Sequence, residues 1–561
     1  MDRGPDEELR AEASQQPQRL RWRAPLIILA LGAALVAAIQ GTDLFANDAA
    51  VQFLSTSSAI ALTLLLLAFW AIFFTGLPAR TRTVLVVLGV GLVVGFFSLV
   101  RIEGVSGDMR PAFAWRWRPP LDQRLAKGLS EEGKQADATI DLTHTTADDF
   151  PQFLGPDRNG KLSGPALARD WQAEPPEQMW RQPIGAGWSS FAVIGPYAIT
   201  QEQRGDQELV TCYELLTGKL LWAHADPGRF SEVIAGDGPR STPTIVDGRV
   251  YALGASGRLN CLDGATGEAI WSHDVLEENK APNVQWGKSC SPAVIGNLVV
   301  VSAGGPDGHS LVAYDKSYGD ERWHAGDDPS SYSSPVLAKL AGAPQILIIN
   351  HHALAAHDPV DGRVLWRYQW QGSQPKVAQP IPVGDSQVLI ASGYGVGSML
   401  LDVEQDGDGK FSVQEAWKSH NLKLKPKFTN PVLRDGFVYG LDDGRSLVCL
   451  EAESGKRRWQ GGHYGHGQLL LVGDLLLVQA ESGEMALVEA SPKRYRELTT
   501  FQAIDGKSWN NPVLAGQYLL VRNAEEAACY KLPLTEQAAA DAATTSPHEE
   551  ASQEEEPAAA P

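Results

Sequence analysis

The phrase EAESGKRRW at residues 451–459 decides the fold, because variants of it recur along the chain. Related phrases are ELLTGKLLW, DGATGEAIW and DPVDGRVLW, which end at Trp222, Trp271 and Trp366. In each phrase a central Gly supplies the positive φ of a tight turn, and the apolar residues on either side supply two strands. The phrase therefore predicts a β-hairpin whose second strand carries a tryptophan.

Tryptophans aligned in this way reveal a long repeat. They are spaced 42 to 52 residues apart, at Trp180, Trp222, Trp271, Trp323, Trp366, Trp417 and Trp459. A second phrase, a polar residue followed by Pro, precedes most of these tryptophans, as at Thr242-Pro243. Pro is tolerated where a strand begins. Asp-Gly turns such as Asp247-Gly248 lie between the two phrases, so each repeat contains four short strands.

Four-stranded units at this period predict an all-β propeller over residues 149–534. Seven units run from about Gly187 to Phe501, and the next stretch, SWNNPVLAGQYLLVRNAEEAACYKLPL, has three strands but no terminal Trp. The missing strand is present at the other end of the array, around Trp180. We predict eight blades closed by this N-terminal strand, with seven blades as the alternative.

Three apolar runs in residues 24–100 predict transmembrane helices at Ala24–Ile39, Ser58–Leu77 and Val84–Val100. The first run is preceded by Arg10, Arg19, Arg21 and Arg23, and the positive-inside rule then places residues 1–23 in the cytoplasm. Three crossings put the propeller on the extracytoplasmic, periplasmic side of the inner membrane. The arginines on the predicted outside, which oppose this orientation, are Arg101, Arg110, Arg116 and Arg118.

The remaining segments and the overall charge add three expectations. Residues 101–148 mix Pro, Gly and charge, which predicts a juxtamembrane linker with one short helix. Residues 535–561 are mostly Ala, Glu, Pro and Ser and contain no Lys or Arg, which predicts a disordered acidic tail. The formal net charge of −19 argues against nucleic-acid binding, because an acidic surface repels phosphate.

The hairpin phrase resembles the tryptophan docking motif of the pyrroloquinoline-quinone (PQQ)-like repeat. That repeat is shared by quinoprotein alcohol dehydrogenases and the propeller subunit of the outer-membrane β-barrel assembly machinery. Residues 149–164, DFPQFLGPDRNGKLSG, and residues 463–484 further resemble membrane-anchored PQQ-like propellers of planctomycetes. The resemblance implies an eight-bladed, quinoprotein alcohol dehydrogenase-like fold, and evidence for a fold is weak evidence for chemistry.

Two functions stay open under this resemblance. The preferred one is a non-catalytic, membrane-anchored scaffold that binds protein or peptide partners, with no assured cofactor and no catalytic residue. The alternative is a membrane-bound PQQ-dependent dehydrogenase for alcohols, aldoses or polyols, which would use PQQ with calcium. The dehydrogenases hold PQQ against a disulfide of two adjacent cysteines, and this sequence has no Cys-Cys pair.

Polar residues before the innermost strands are the candidate ligand-binding site. They are Arg240, Lys288, Tyr332, Lys376, Lys427, His466 and Trp509. Cations around one funnel would attract a carboxylate-bearing ligand, either PQQ or an acidic peptide. In the alternative interpretation these side chains point to solvent at one rim.

Three other patterns have a structural explanation that we prefer. Residues 404–415, EQDGDGKFSVQE, place oxygen donors at EF-hand spacing but lack the flanking helices, so a β-hairpin with a Gly-rich turn is favoured. In NHHALAAHD a strand would point His351 and His352 to opposite faces, and His357 stands where the repeat needs a core turn, so these histidines are not assigned to a metal. Four cysteines at one register of the repeat are predicted to be small core residues: Cys212, Cys261, Cys449 and Cys529. Cys290 stands at the start of an innermost strand, where a structural role is favoured and a reactive thiol facing the channel is the alternative.

Overall fold

The computed structural model describes residues 23–42, 48–126, 140–370, 372, 374–418 and 424–538. The chain divides into two compact units, Met1–Arg118 and Pro119–Pro561. Nearly all of the predicted cytoplasmic segment (1–22) and most of the predicted acidic tail (539–561) lie outside the described residues.

The first unit contains three apolar helices, α1 (Arg23–Gly41), α2 (Ala49–Phe74) and α3 (Ala79–Leu99). All three are long and apolar enough to cross a membrane, in agreement with the predicted spans. Helix α2 begins at an N-cap, where the Asp48 carboxylate accepts hydrogen bonds from the Ala50 and Val51 N–H groups.

A β-hairpin that the sequence pattern did not predict follows α3 directly. Strand β1 (Val100–Val105) pairs antiparallel with β2 (Pro111–Trp115). The predicted short helix is also present, as α4 (Leu121–Leu125), and it begins the second unit. Two short elements then precede the blades, β3 (Lys161–Leu162) and β4 (Glu177–Pro183).

Eight sheets follow, and each contains a blade of four antiparallel strands that run in sequence order from the innermost outward, except that the outermost strand of blade 8 is β4. The sheet of blade 7 includes β3 as a fifth strand. Blade 1 is β5 to β8: Ala192–Ile194, Tyr197–Arg204, Gln207–Glu214 and Leu220–Pro227. Blade 2 is β9 to β12: Thr244–Val246, Arg249–Leu253, Arg258–Asp263 and Ala269–Asp274, followed by α5 (Val275–Glu278). Blade 3 is β13 to β16: Ala293–Ile295, Leu298–Ser302, Leu311–Asp315 and Glu321–Ala325. Blade 4 is β17 to β20: Val336–Leu340, Ala343–Ile349, Ala353–His357 and Val364–Gln369.

The remaining four blades complete the ring. Blade 5 is β21 to β24: Ile381–Val383, Gln387–Ser392, Gly397–Gln405 and Phe411–Lys418. Blade 6 is β25 to β28: Val432–Arg434, Phe437–Asp442, Ser446–Glu451 and Arg457–Gly461. Blade 7 is β29 to β32: Gln468–Val472, Leu475–Gln479, Glu484–Glu489 and Glu497–Gln502. Blade 8 is β33 to β35 with β4 outermost: Val513–Ala515, Tyr518–Arg522 and Glu526–Lys531. The prediction of eight blades is confirmed.

The ring is closed by the N-terminal strand, as the position of Trp180 predicted. Strand β4 pairs antiparallel with β35, and Trp180 lies opposite Cys529. The Arg181 guanidinium reinforces the joint with a 2.6 Å ion pair to Glu526. The outer strand of the last blade therefore comes from the start of the propeller sequence.

Neighbouring blades dock through the repeat tryptophans. A Cβ built on Gly267 in blade 2 would lie 2.5 Å from the indole of Trp222 in blade 1, and the Trp222 Nε1–H donates to the Gly264 carbonyl (3.0 Å). Gly267 has φ +75°, so glycine suits both the turn and the close approach. The same contact joins Gly218 to Trp180, Gly319 to Trp271, Gly362 to Trp323 and Gly455 to Trp417.

The polar residues of several Pro phrases link their blade to the preceding one. The Thr242 hydroxyl accepts a hydrogen bond from the Ser190 N–H (3.2 Å), and the Ser291 hydroxyl accepts one from Thr242 N–H (2.9 Å). The Ser334 hydroxyl continues the series by accepting from the Ser291 N–H (2.9 Å). A chain of hydrogen bonds thus runs beside the axis from blade 1 to blade 4.

A buried ionic cluster holds blade 8 against blade 1. The Glu202 carboxylate accepts hydrogen bonds from Tyr213 Oη (2.6 Å), from Arg204 (3.1 Å) and from the Gly185 N–H. Arg522 of blade 8 donates to Thr200 Oγ1 (2.7 Å) and to the Gly185 carbonyl (2.9 Å). These groups satisfy one another, which a buried charge requires.

The structure explains the metal-like and cysteine patterns as parts of blades. Residues 404–415 span the β23–β24 hairpin, in which the Asp406 carboxylate accepts from the N–H groups of Asp408 and Lys410. Four cysteines lie buried on the third strands of four blades, as predicted, and Cys290 packs in the core between blades 2 and 3. Burial raises the pKa of the Cys290 thiol.

Candidate functional site

The central channel of the propeller has two different ends. At the upper end, the outer strand of one blade connects to the innermost strand of the next; at the lower end, the innermost strand turns into the second strand. The residues that the sequence indicated as a funnel all precede innermost strands and therefore lie at the upper end.

The lower end is crossed by residues 149–162, which we call the plug. Phe150 forms a bridge with Val193 in blade 1, and the Ile245 N–H in blade 2 donates to the Pro151 carbonyl (2.9 Å). Strand β3 then pairs in parallel with β29 of blade 7. The plug therefore spans the lower opening from one side of the ring to the other.

Arg158 fixes the middle of the plug. This side chain is 8% exposed, and its guanidinium donates to the backbone carbonyls of Ser291 (2.9 Å) and Pro292 (3.0 Å) at the start of blade 3. Burial lowers the pKa of Arg158 to about 10. The phrase DFPQFLGPDRNGKLSG is thus the segment that closes the lower end, which makes the ring a cup that is open upward.

Six half-buried aromatic side chains surround the axis at the upper end, and we call them the aromatic collar. They are Trp188, Trp286, Tyr332, Tyr394, Phe428 and Trp509. Adjacent members touch: the ring centroids of Trp188 and Trp509 are 4.9 Å apart, and those of Trp286 and Tyr332 are 5.1 Å apart. Trp286 precedes blade 3 and Phe428 precedes blade 6, yet their centroids are only 6.4 Å apart. The collar therefore reaches across the axis.

Cationic side chains accompany the collar. The Lys507 Nζ lies 4.1 Å from the Trp509 ring centroid and 4.9 Å from that of Trp188, and the Lys427 Nζ lies 5.2 Å from that of Tyr394. These are cation–π distances. Burial lowers the pKa of Lys507 to about 8, although Glu481 opposes the shift. The upper end of the channel, which we call the mouth, therefore combines aromatic faces with a lysine whose pKa is about 8.

One acidic group also belongs to the mouth. The Glu481 carboxylate accepts hydrogen bonds from Trp509 Nε1 (3.0 Å) and from the His466 backbone N–H (3.1 Å). It thereby fixes the orientation of the Trp509 indole. His466 itself is 3% exposed and packs beside Phe428, with ring centroids 5.6 Å apart.

The structure separates six of the seven sequence-predicted funnel residues into two groups, and the seventh, His466, is buried beside Phe428. Tyr332 and Trp509 are members of the collar, and Arg240 lies near Tyr332. The Arg240 guanidinium stacks 4.4 Å from the Phe230 ring centroid and donates to the Gly236 carbonyl (2.6 Å). Burial lowers the pKa of Arg240 to about 10.

The three lysines form the second group, and they are buried inside the loops. The Lys288 Nζ donates to the carbonyls of Ser302 (3.1 Å) and Ala303 (2.7 Å) and to Ser330 Oγ (2.7 Å). The Lys376 Nζ donates to the His351 carbonyl (2.6 Å). These lysines hold the upper loops in place.

Lys427 forms a buried ion pair of 3.0 Å with Asp443. It too fixes an upper loop, although its Nζ also faces the Tyr394 ring.

Sequence reasoning did not identify four members of the collar or Lys507. A signal was present for two of them, because Trp188 and Phe428 stand two residues before a polar residue at the start of an innermost strand, as Tyr332 and Trp509 do. Trp286 and Tyr394 occupy other positions of their repeats, and no shared position indicated them.

The residues at the mouth do not fit PQQ with calcium as they stand. Rings that touch across the axis occupy the space where a planar cofactor would stack, and the lysines donate to partners within the protein. Within the described ranges, no three His, Cys, Asp or Glu side chains gather as a metal site. A cofactor of this size would require the collar to move.

A separate groove lies at the outer edge of the ring, between blades 4 and 5. Its volume is about 470 Å³, and its lining residues are Tyr368, Gln369, Trp370, Val396, Glu415 and Lys418. The Tyr368 hydroxyl donates to the Glu415 carboxylate across the groove. None of the sequence-predicted funnel residues lines it.

Comparison with known proteins agrees with this architecture. Residues 205–461 match the PQQ_2 family, described as outer membrane protein assembly factor BamB. BamB of Xanthomonas campestris is 24% identical over 253 residues, which are 44% of this chain and 61% of that protein. Quinohemoprotein alcohol dehydrogenase ADH-IIG of Pseudomonas putida is 29% identical over 269 residues, 44% of this chain and 32% of that enzyme. The chain thus spans less than two thirds of the length of either relative.

Solved structures of the same two kinds resemble the chain. BamB from Moraxella catarrhalis has a TM-score of 0.45 and 16% identity, and the match covers 64% of this chain and 100% of that one. Quinohemoprotein alcohol dehydrogenase from Comamonas testosteroni has a TM-score of 0.49 and 12% identity, with 73% and 84% covered. The match to residues 205–461 confirms the resemblance to the PQQ-like repeat, and the chain carries this repeat in an eight-bladed β-propeller preceded by three apolar helices.

Proposed function

We propose that the chain is a membrane-anchored scaffold whose propeller binds a peptide segment of a partner protein at the aromatic collar. The observation that carries this proposal is the collar itself, six half-buried aromatic rings gathered around one end of the axis. Large aromatic side chains are enriched among the residues that dominate protein binding energy. The plug supports the proposal because it leaves the collar as the exposed end of the cup.

The charges at the mouth indicate the kind of peptide. Lys507 and Arg240 add positive charge beside the aromatic faces, although the propeller as a whole is acidic. An acidic side chain or a terminal carboxylate would pair with Lys507, while an apolar neighbour would rest on the rings of Trp188 and Trp509. We therefore propose a partner segment that combines acidic and apolar residues.

The anchor supports a position at the membrane surface. The three apolar helices and the arginines before the first of them favour an inner-membrane protein with the propeller on the periplasmic side. The BamB relative is named an assembly factor for outer membrane proteins, and a scaffold role for this chain is in line with that name.

Binding of a defined peptide to the full chain tests the proposal. We would reconstitute the protein in nanodiscs and titrate a fluorescein-labelled peptide of alternating Glu and Phe, following anisotropy. We expect the Trp188→Ala/Trp509→Ala variant to weaken binding by about tenfold or more, as loss of a hot spot does. Tyr318→Ala is the matched control, because Tyr318 is 77% exposed on the outer part of blade 3. Equal binding by both variants would contradict the proposal.

The dehydrogenase is the second candidate, and the similarity to a quinohemoprotein alcohol dehydrogenase over 269 residues favours it. Titration of the same nanodiscs with PQQ and calcium separates the two functions. A scaffold gives no saturable change in tryptophan emission. Saturable quenching, together with dye reduction when an alcohol is added, would favour the enzyme and would show that the collar opens.

A further inference from the structure

We propose that the β1–β2 hairpin is a second membrane contact, which lies in the headgroup region and binds anionic phospholipid. The hairpin starts at Val100, directly after helix α3 ends at Leu99. If α3 crosses the membrane, the hairpin emerges at the bilayer surface, where Trp and basic side chains are favoured.

One face of the hairpin is apolar and exposed. Ile102 pairs with Phe113 across the two strands, and Trp115 lies on the same face two residues after Phe113. These side chains are 46%, 52% and 50% exposed, respectively. Trp117 extends the face by stacking on Trp115, with ring centroids 4.7 Å apart. An isolated two-stranded hairpin is marginally stable in water, so this face needs a covering.

The apolar face is continuous with the surface of α3 that would face lipid. Phe113 packs edge-on against Phe96 of α3, with ring centroids 5.7 Å apart, and Phe96 is itself 46% exposed. The exposed apolar surface of α3 therefore continues onto the hairpin, and lipid that contacts α3 can also contact the hairpin. This continuity favours lipid over a separate protein partner.

Arginines border this face and supply the headgroup preference. The Arg116 Nε donates to the carbonyls of Phe97 (3.0 Å) and Val100 (3.2 Å), which holds its guanidinium at the carboxyl end of α3. Arg110 and Arg118 are exposed at the two ends of β2. Residues 100–118 hold four arginines against Glu103 and Asp108. A net positive, aromatic surface at the interface matches anionic phospholipid.

Lipid selectivity of the full chain tests the charged border. We would place the protein in liposomes of equal phosphatidylglycerol and phosphatidylcholine and measure boundary association of spin-labelled forms of each lipid by electron paramagnetic resonance. We expect Arg110→Gln/Arg118→Gln to lower the phosphatidylglycerol preference by about fivefold per arginine. Arg322→Gln/Arg363→Gln is the matched control, with two exposed arginines of the propeller. An unchanged preference in the hairpin variant would overturn the proposal.

Lipids brominated near the headgroup test the apolar face, because bromine quenches tryptophan at short range. Subtracting the tryptophan fluorescence of the Trp115→Phe/Trp117→Phe variant from that of the wild type gives the emission of these two indoles alone. We expect brominated lipid to quench this difference strongly. An unquenched difference, or a dimer that Trp115→Phe/Trp117→Phe dissociates, would mean that protein covers the face and would overturn the proposal. Retained near-ultraviolet circular dichroism shows that each variant is folded.

Discussion

Gly267 of blade 2 lies flat against the indole of Trp222 in blade 1, so close that an added methyl group would stand 2.5 Å from the ring. This contact makes the turn glycine part of the interface between blades. It also explains why the glycine and the tryptophan recur together in the repeat.

Gly267→Ala should therefore destabilise the propeller more than an alanine at an equally left-handed but uncrowded glycine. Gly296 provides the comparison, because it has φ +60° and no atom lies within 4 Å of the position that an added Cβ would take. Both substitutions carry the conformational cost of about 1–2 kcal/mol. Overpacking adds about 1–3 kcal/mol at Gly267 alone. Urea denaturation of the full chain in detergent, followed by tryptophan emission, measures the difference, and equal losses would contradict the docking role.

Glu202→Gln should lower the free energy of unfolding of the propeller by about 3–5 kcal/mol, because it leaves Arg204 and Arg522 buried without their carboxylate between blades 8 and 1. Burial alone would raise the pKa of Glu202, but the two guanidinium groups and the Tyr213 hydroxyl hold it below its ordinary value. The stabilisation is therefore present above about pH 4.3, the ordinary pKa of Glu. It is lost as pH falls through the lower pKa of the folded state.

Thermal unfolding between pH 3 and pH 7 checks this assignment. The melting temperature of the wild type should approach that of the Glu202→Gln variant as the pH falls toward 3. The melting temperature of the Glu453→Gln variant, in which an exposed residue is changed, should match that of the wild type at every pH. A difference in melting temperature between the wild type and Glu202→Gln that stays constant over this pH range would argue against the ionic cluster.

Binding of the acidic peptide should weaken between pH 7 and pH 9. The pKa of Lys507 is about 8, so most of its positive charge is present at pH 7 and absent at pH 9. Loss of one close opposite charge corresponds to about fivefold in affinity, or about 1 kcal/mol. Anisotropy titrations at both pH values measure the change. Lys507→Arg should remove the pH dependence by keeping its charge, and a dependence that persists in this variant would assign it to another group.

Arg158→Gln should release the plug while the blades stay folded. The substitution removes charge-assisted hydrogen bonds to the carbonyls of Ser291 and Pro292, each worth about 1.5–3 kcal/mol. Amide hydrogen exchange in residues 149–162 should then accelerate by about tenfold or more. Arg169→Gln, which removes an exposed ion pair to Asp474, is the control. Equal protection of the plug in both variants would show that Arg158 does not hold it.

Fold prediction from the sequence succeeded because its signals are local and repeated. The Gly four residues before most of the repeat tryptophans specifies a hairpin turn, and the unpaired phrase around Trp180 specified how the ring closes. The β1–β2 hairpin gave no such signal, since PAFAW is too short to distinguish from a linker and has no partner repeat elsewhere in the chain.

The candidate site was harder to predict, because one residue of offset decides where a side chain points. Lys288, Lys376 and Lys427 stand three residues before the polar residue that opens the blade, and they turn into the loops. Tyr332 stands two residues before it and faces the mouth. Residue type suggested the lysines, whereas the position within the repeat selects four of the six collar members.

The two ends of blade 8 are synthesised at different times. Arg181 and Glu526, which pair across the joint between β4 and β35, are separated by 345 residues. At roughly 5–20 residues per second, a ribosome needs about 17–70 seconds between making the two. Throughout that interval β4 is a strand without its neighbour, and its open edge is a template for mispairing. Blade 8 can therefore form only after translation has passed Lys531, because β35 is the strand that pairs with the open edge of β4.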